Sequence, residues 1–109
     1  MRQLAVYRNK EFAGILTEEN RRSFVFRYDD AYYADTTKAN VSLTLPKSQK
    51  EYRSEYLFPF FFNMLSEGVN RQLQSRMLKI DEQDDFGLLA ATAQYDTIGA
   101  ITVKPLETK

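Results

Sequence analysis

Through the first part of the chain, apolar and polar residues alternate with a period of two, the signature of strands covered on one face. In Gln3–Arg8, Leu4 and Val6 alternate with Gln3, Ala5 and Tyr7, and Asn9-Lys10 supplies a hairpin turn. The returning strand puts Phe12, Gly14 and Leu16 on one face and Ala13, Ile15 and Thr17 on the other. Both faces are fairly apolar, so cover on two sides is expected there. Glu18–Arg22 is a polar turn, and Arg22–Tyr28 sets Phe24, Phe26 and Tyr28 opposite Ser23, Val25 and Arg27. Asp29–Lys38 is polar around Ala31-Tyr32-Tyr33-Ala34 and suits one helical turn capped by Asp29 or Asp30. Asn40–Leu45 reads as a fourth strand, with Val41, Leu43 and Leu45 inward, ended by Pro46.

After a charged loop at Lys47–Arg53 the period changes. From Tyr56 to Ser66 the apolar residues follow helical spacing, with Leu57, Phe61 and Leu65 in line and Phe58 and Phe62 beside them. Pro59 is tolerated only in a first turn, which starts this helix near Leu57. Gly68 ends it or turns it into a second helix, Val69–Leu78, with Val69, Leu73, Met77 and Ile80 as its inner stripe. A third helix is expected from about Glu82 to Gln94, capped by Asp81 or Asp84, and a last strand over Gly99–Lys104, ended by Pro105. The order β-β-β-β-α-α-α-β describes a single α+β domain: an antiparallel sheet of about five strands with three helices packed on one face.

Composition narrows the chemistry. The 109 residues hold no cysteine and no histidine, which removes disulfides, thiolate nucleophiles and the commonest general base and metal ligand. Fifteen basic residues balance fifteen acidic ones, unlike the basic excess of a dedicated nucleic-acid binder. The N-terminal apolar run is broken by Arg8, Asn9, Lys10 and Glu11, so no secretory signal is expected. The densest apolar cluster, Leu57–Leu65, is too short to span a bilayer. A cytoplasmic protein is the default expectation.

The four glycines stand apart, at 14, 68, 87 and 99, so no glycine-rich phosphate loop can be built from them. Asp81, Glu82, Asp84 and Asp85 form the densest acidic cluster; it reads as a helix start lined with capping carboxylates rather than as a cation site, and EF-hand spacing is absent. The stripe Phe24, Phe26 and Tyr28, flanked by Arg21, Arg22 and Arg27, has the look of a base-stacking platform, but an amphipathic sheet needs an apolar core face and this is the strongest available. No catalytic, cofactor-binding or metal-ligating residue is assigned.

The aromatic surplus at Tyr52–Phe62 is harder to absorb, because six of the fifteen aromatic residues lie there. Tyr56, Phe60 and Met64 form a second stripe at i, i+4 and i+8, rotated away from the core stripe. A helix apolar on two sides is either buried on both or meets a partner. The candidate partner-binding residues are Tyr56, Phe60 and Met64, with Asn63 and Glu67 as a polar rim.

At this helix the sequence resembles a known family. Pro59-Phe60-Phe61-Phe62-Asn63-Met64-Leu65-Ser66-Glu67-Gly68 is similar to the P-F-F-x-N-L-L-P-E-G segment in the N-terminal subdomain of HipA-type toxin kinases. Three further stretches agree in order. Leu4-Ala5-Val6-Tyr7-Arg8-Asn9 with Gly14 and Leu16 resembles the family's opening hairpin. Ser23-Phe24-Val25-Phe26-Arg27-Tyr28 and Val41-Ser42-Leu43-Thr44-Leu45-Pro46 resemble its F-x-Y and L-S-x-x-L-P stretches. Asp84-Asp85-Phe86-Gly87-Leu88-Leu89 and Asp96-Thr97-Ile98-Gly99-Ala100 resemble its D-D-x-x-L-L and D-x-x-G-A region. Ser66 replaces a usual proline and Ala93 a common glycine.

A kinase body would need a catalytic aspartate, Mg²⁺-binding carboxylates and a phosphate loop, none of which these residues supply. The resemblance therefore implies a free-standing subdomain like the HipS-like small subunits of split, three-gene HipBST-type toxin–antitoxin systems. Such a subunit would bind a separately encoded HipA-like (HipT-like) serine/threonine kinase and restrain it, beside a HipB-like helix-turn-helix protein. It would need no cofactor and no direct contact with nucleic acid or membrane. Two alternatives stay open: an isolated kinase subdomain serving as scaffold or dimerisation element, and a nucleic-acid accessory using Arg21, Arg22, Arg27 and Arg53.

Overall fold

A computed structural model of the chain describes residues 2–65, 68–92 and 101–106. Strands β1 (Arg2–Arg8), β2 (Glu11–Asn20) and β3 (Ser23–Tyr28) form an antiparallel meander, followed by the single turn α1 (Asp30–Ala34). Strand β4 (Glu51–Ser54), helices α2 (Pro59–Phe62), α3 (Gly68–Leu78) and α4 (Asp85–Thr92), and strand β5 (Ile101–Pro105) complete the described chain. The strands lie side by side in the order β4-β3-β2-β1-β5, each pair antiparallel. The domain is α+β, with a five-stranded antiparallel sheet.

Local chemistry explains most of the boundaries. Asn9 and Lys10 take positive φ values of 51° and 67°, the backbone a two-residue hairpin requires and one that asparagine tolerates well. Asp29 caps α1, its carboxylate accepting the Tyr32 N–H. Pro105 closes β5 at the sheet edge, where a missing N–H costs no ladder bond. Helix α3 ends on Lys79, whose φ of 56° lets the Ile80 N–H reach the Ser75 carbonyl at 3.0 Å and its own N–H reach Arg76 at 3.3 Å.

Leu4, Val6, Leu16, Phe24, Phe26, Tyr28, Ile101 and Val103 line one sheet face and join Leu57, Phe61, Leu65, Phe86, Leu88 and Leu89 in a single core. Phe24, Phe26 and Tyr28 are buried there, so the base-stacking reading of that stripe fails. Gly14 is needed at the sheet centre: a Cβ there would lie 2.5 Å from the Arg27 carbonyl oxygen and 3.0 Å from the Phe26 ring.

Four expectations are corrected. Register shifts between Val6 and Tyr7, Gly14 pairing with Val6 but Phe12 with Tyr7. The extra residue, Ala13, turns into the core, and Phe12 moves to the other face, edge-on to Tyr7 at 5.8 Å. Asn40–Leu45 is not a strand: Val41 and Leu45 are buried, but Leu43, expected inward, is fully in solvent at the apex of a turn. The fourth strand is Glu51–Ser54 instead, which takes in the end of the stretch read as a charged loop; its charges sit on an edge strand, where they are tolerated. Finally, Leu73 and Met77 of the expected inner stripe of α3 are exposed, while Ile80 packs partly on the core. Arg71 turns the helix the other way, donating to the Glu82 carbonyl at 2.8 and 3.1 Å and pairing with Asp85. The side chain of Val69 lies outside the described residues.

Candidate docking surface

The segment 56–65 begins from a proline constraint. A residue preceding proline is disfavoured in the α region, and Phe58 accordingly sits at φ −56°, ψ 136°. Tyr56 and Leu57 therefore precede the helix rather than belonging to it, and Pro59 occupies its first turn. The Phe61 and Phe62 N–H groups bond to the Phe58 carbonyl at 2.9 and 3.0 Å. Beyond Asn63 the bonding tightens, Met64 reaching back to Phe61 and Leu65 to Phe62 at 3.1 and 3.0 Å. The expected long helix is thus one turn, Pro59–Phe62, with a tight continuation.

This breaks the expected i, i+4, i+8 stripe. Phe61 and Leu65 are buried, as the spacing predicts, but Phe60 and Met64 pack partly against the core, Phe60 edge-on to Phe61 at 5.2 Å. Phe62, assigned to the core stripe, is 42% exposed, because a turn that buries Phe61 directs the next residue away from the core. Tyr56 is 75% exposed and Asn63 is exposed. Glu67 lies outside the described residues.

Tyr56 and Phe62 meet at a cleft of about 530 Å³ whose floor includes Phe24, Leu57 and Phe86. One wall is a charged latch. Arg2 donates two bonds to Asp84, at 2.8 and 3.0 Å, and one to Glu18 at 2.7 Å, with its guanidinium 5.1 Å over the Phe86 ring. Asp84 also caps α4, accepting the Gly87 N–H at 3.1 Å. The acidic cluster is therefore a helix start, with Asp84 as the cap and Asp85 paired to Arg71. No group of acidic side chains among the described residues is arranged to hold a metal ion.

The Arg2 hydrogen bonds hold the Asp84 carboxyl below its usual range, helped by the Gly87 N–H and opposed by partial burial. A depressed folded-state value stabilises the fold above the ordinary aspartate pKa of about 4, and that contribution is lost as pH falls through the folded value. Asp84→Ala is expected to cost about 1 kcal/mol, the usual cost of losing a cap, and Asp84→Asn to flatten the acid branch of stability against pH. Gly87→Ala should mimic it, since a Cβ there would stand 2.8 Å from Asp84 Cγ. Denaturant midpoints of the two single variants and the double variant give the check; full additivity would show that Gly87 acts independently of the latch.

Sequence reasoning missed Phe62 and Arg2. The Phe58-Pro59 step carried the signal for the first, because it disfavours helical backbone at Phe58. No local signal marks an ion pair between residues as distant as Arg2 and Asp84.

Known proteins resemble this chain over most of its length. A protein from Haemophilus influenzae described only as uncharacterised is 31% identical over 94 residues, covering 86% of this chain and 83% of its own. A "Putative kinase Y4mE" from Sinorhizobium fredii is 27% identical over 105 residues, 96% of this chain but 25% of the kinase, so the chain spans about a quarter of that relative. The solved structure titled "N-terminal domain of HipA toxin" superposes with a TM-score of 0.74 at 28% identity, covering 100% of this chain and 96% of that one. The sequence profile of the HipA N-terminal domain matches residues 4–104, and the chain belongs to the HipA N-terminal domain family.

Proposed function

We propose that this protein is a non-catalytic subunit that docks on a separately encoded HipA-like serine/threonine kinase and restrains its toxicity. The observation that carries the reading is the cleft beside α2, where two large rings, Tyr56 and Phe62, stand in solvent over an apolar floor. Exposed aromatic side chains gathered at a concave surface are the usual anchors of protein interfaces. Asn63, exposed next to Phe62 in sequence, is proposed as polar rim, and Phe60, Met64 and Glu67 complete the set proposed for contact.

The match to one quarter of a putative kinase favours a second reading, in which the same surface packs on a kinase body only as scaffold. Growth separates the two. Co-expression with a HipA-like kinase from the same genome is expected to restore growth and to yield a co-purifying complex. Binding without rescue would favour the scaffold, and no binding at all would overturn the docking reading. The charge balance and the burial of Phe24, Phe26 and Tyr28 give no support to the nucleic-acid alternative.

A further inference from the structure

The cleft at Tyr56 and Phe62 carries charge as well as rings. Glu18, Asp81 and Asp84 line it against two guanidinium groups, those of Arg2 and Arg21, while the carboxylate of Asp85 is met by Arg71. Arg2 is shared between Glu18 and Asp84, and Arg21 adds a favourable charge near Asp84. Asp81 is exposed, and its carboxylate accepts the Gln83 N–H at 2.8 Å; among the described residues no cation is paired with it. The lining therefore has one carboxylate beyond its guanidinium groups, in the same cleft as two rings that stand in solvent.

The cleft also shows how it holds a guanidinium. Arg2 lies 5.1 Å over the Phe86 ring while its N–H groups run to two carboxylates, Glu18 and Asp84. Ring face plus carboxylate suits arginine above other side chains, since its planar, weakly hydrated cation stacks and donates at once. Tyr56, Phe62 and Asp81 supply the same components and, among the described residues, have no cation of their own. An anionic group would meet the excess carboxylate and the electron-rich ring faces, so neither an acidic segment nor a phosphate backbone fits.

We propose that this cleft seats an arginine side chain of the kinase partner, its guanidinium on the Tyr56 and Phe62 rings and paired with Asp81, its methylenes on the floor at Leu57. This rests on the docking reading above. A domain that makes up a quarter of a larger relative has the rest of that chain as its natural neighbour, which favours the kinase over a second copy.

The test measures affinity for the HipA-like kinase from the same genome at low and high ionic strength. It compares wild type, Asp81→Asn, Tyr56→Leu and Asp30→Asn, with denaturant midpoints and sedimentation of each chain alone. Asparagine keeps the side-chain oxygen that accepts the Gln83 N–H and loses only the charge, so the midpoint should hold. Asp81→Asn should bind about tenfold more weakly at low ionic strength, a gap that narrows as salt is added. Asp30→Asn, the same charge change outside the cleft, should stay close to wild type. Tyr56→Leu keeps apolar area but gives up the ring face, and should lose several-fold. Asp81→Asn no weaker than Asp30→Asn, beside a wild type that binds, would overturn this inference and leave the docking reading standing. Tighter binding by Asp81→Asn would do the same and show an acidic occupant. Loss for Asp81→Asn with none for Tyr56→Leu would overturn arginine in favour of an unstacked point charge such as lysine. Failure of wild type to bind would overturn the docking reading and the arginine seat together. A wild-type dimer that Asp81→Asn converts to monomer, at unchanged kinase affinity, would assign the seat to a second copy and overturn the proposal.

Discussion

Phe61→Ala is expected to lower stability by about 3–5 kcal/mol, the range for truncating a fully buried aromatic ring. Phe61 is completely enclosed, with the Phe26, Phe58 and Phe60 rings 5.8, 6.4 and 5.2 Å away, centroid to centroid. Its removal leaves a cavity between the sheet and α2 that cannot collapse without moving Phe26, itself fixed between Leu16 and Tyr52 in the ladder. Such a loss is a large part of the 5–15 kcal/mol that domains possess. Phe60→Ala should cost distinctly less, because its ring is only partly covered. Urea or guanidinium midpoints of the two variants are the measurement; equal, large losses would mean that Phe60 is as much a core residue as Phe61.

The contrast between these neighbours shows what could be read ahead of the structure. The alternation around Phe24, Phe26 and Tyr28, and the Asn9-Lys10 turn, were legible because period and turn chemistry act over a few residues. Cysteine-free composition and isolated glycines likewise bounded the chemistry. Failures fell where one local event rephased everything after it. The bulge at Ala13 moved Phe12 to the opposite face, and the Phe58-Pro59 step cut a ten-residue helix down to one turn. Leu43 and Met77 failed for another reason: apolar patterning marks a face, but distant pins such as the Tyr28 hydroxyl and the Arg71–Asp85 pair decide where that face points. The exposure of the candidate contact residues was legible in part. The aromatic excess located the segment, and its division between core and surface depended on a helix length that spacing alone overestimates.

That division has a functional consequence. Phe62→Ala and Tyr56→Ala should each weaken binding to the kinase by about 2 kcal/mol, roughly thirtyfold, while leaving the fold nearly as stable. Both rings are substantially in solvent, so truncation forfeits little burial in the free chain. In the complex the same rings would be desolvated over the floor of Phe24, Leu57 and Phe86, where each ring covers a large apolar area with only two side-chain torsions to order. Phe60→Ala and Met64→Ala should show mixed effects, losing stability and affinity together, since both pack on the core. Lys50→Ala should change affinity far less, because an exposed ion pair such as Lys50–Asp30 is worth about 0–1 kcal/mol and is screened by salt. Calorimetric affinities set beside denaturant midpoints for the same variants resolve the two axes. A folded Tyr56→Ala, Phe62→Ala double variant that binds the kinase and rescues growth as well as wild type would move the interface away from the cleft. A double variant that binds about a thousandfold more weakly, the sum of two independent losses, would show that the two rings engage separate parts of the partner.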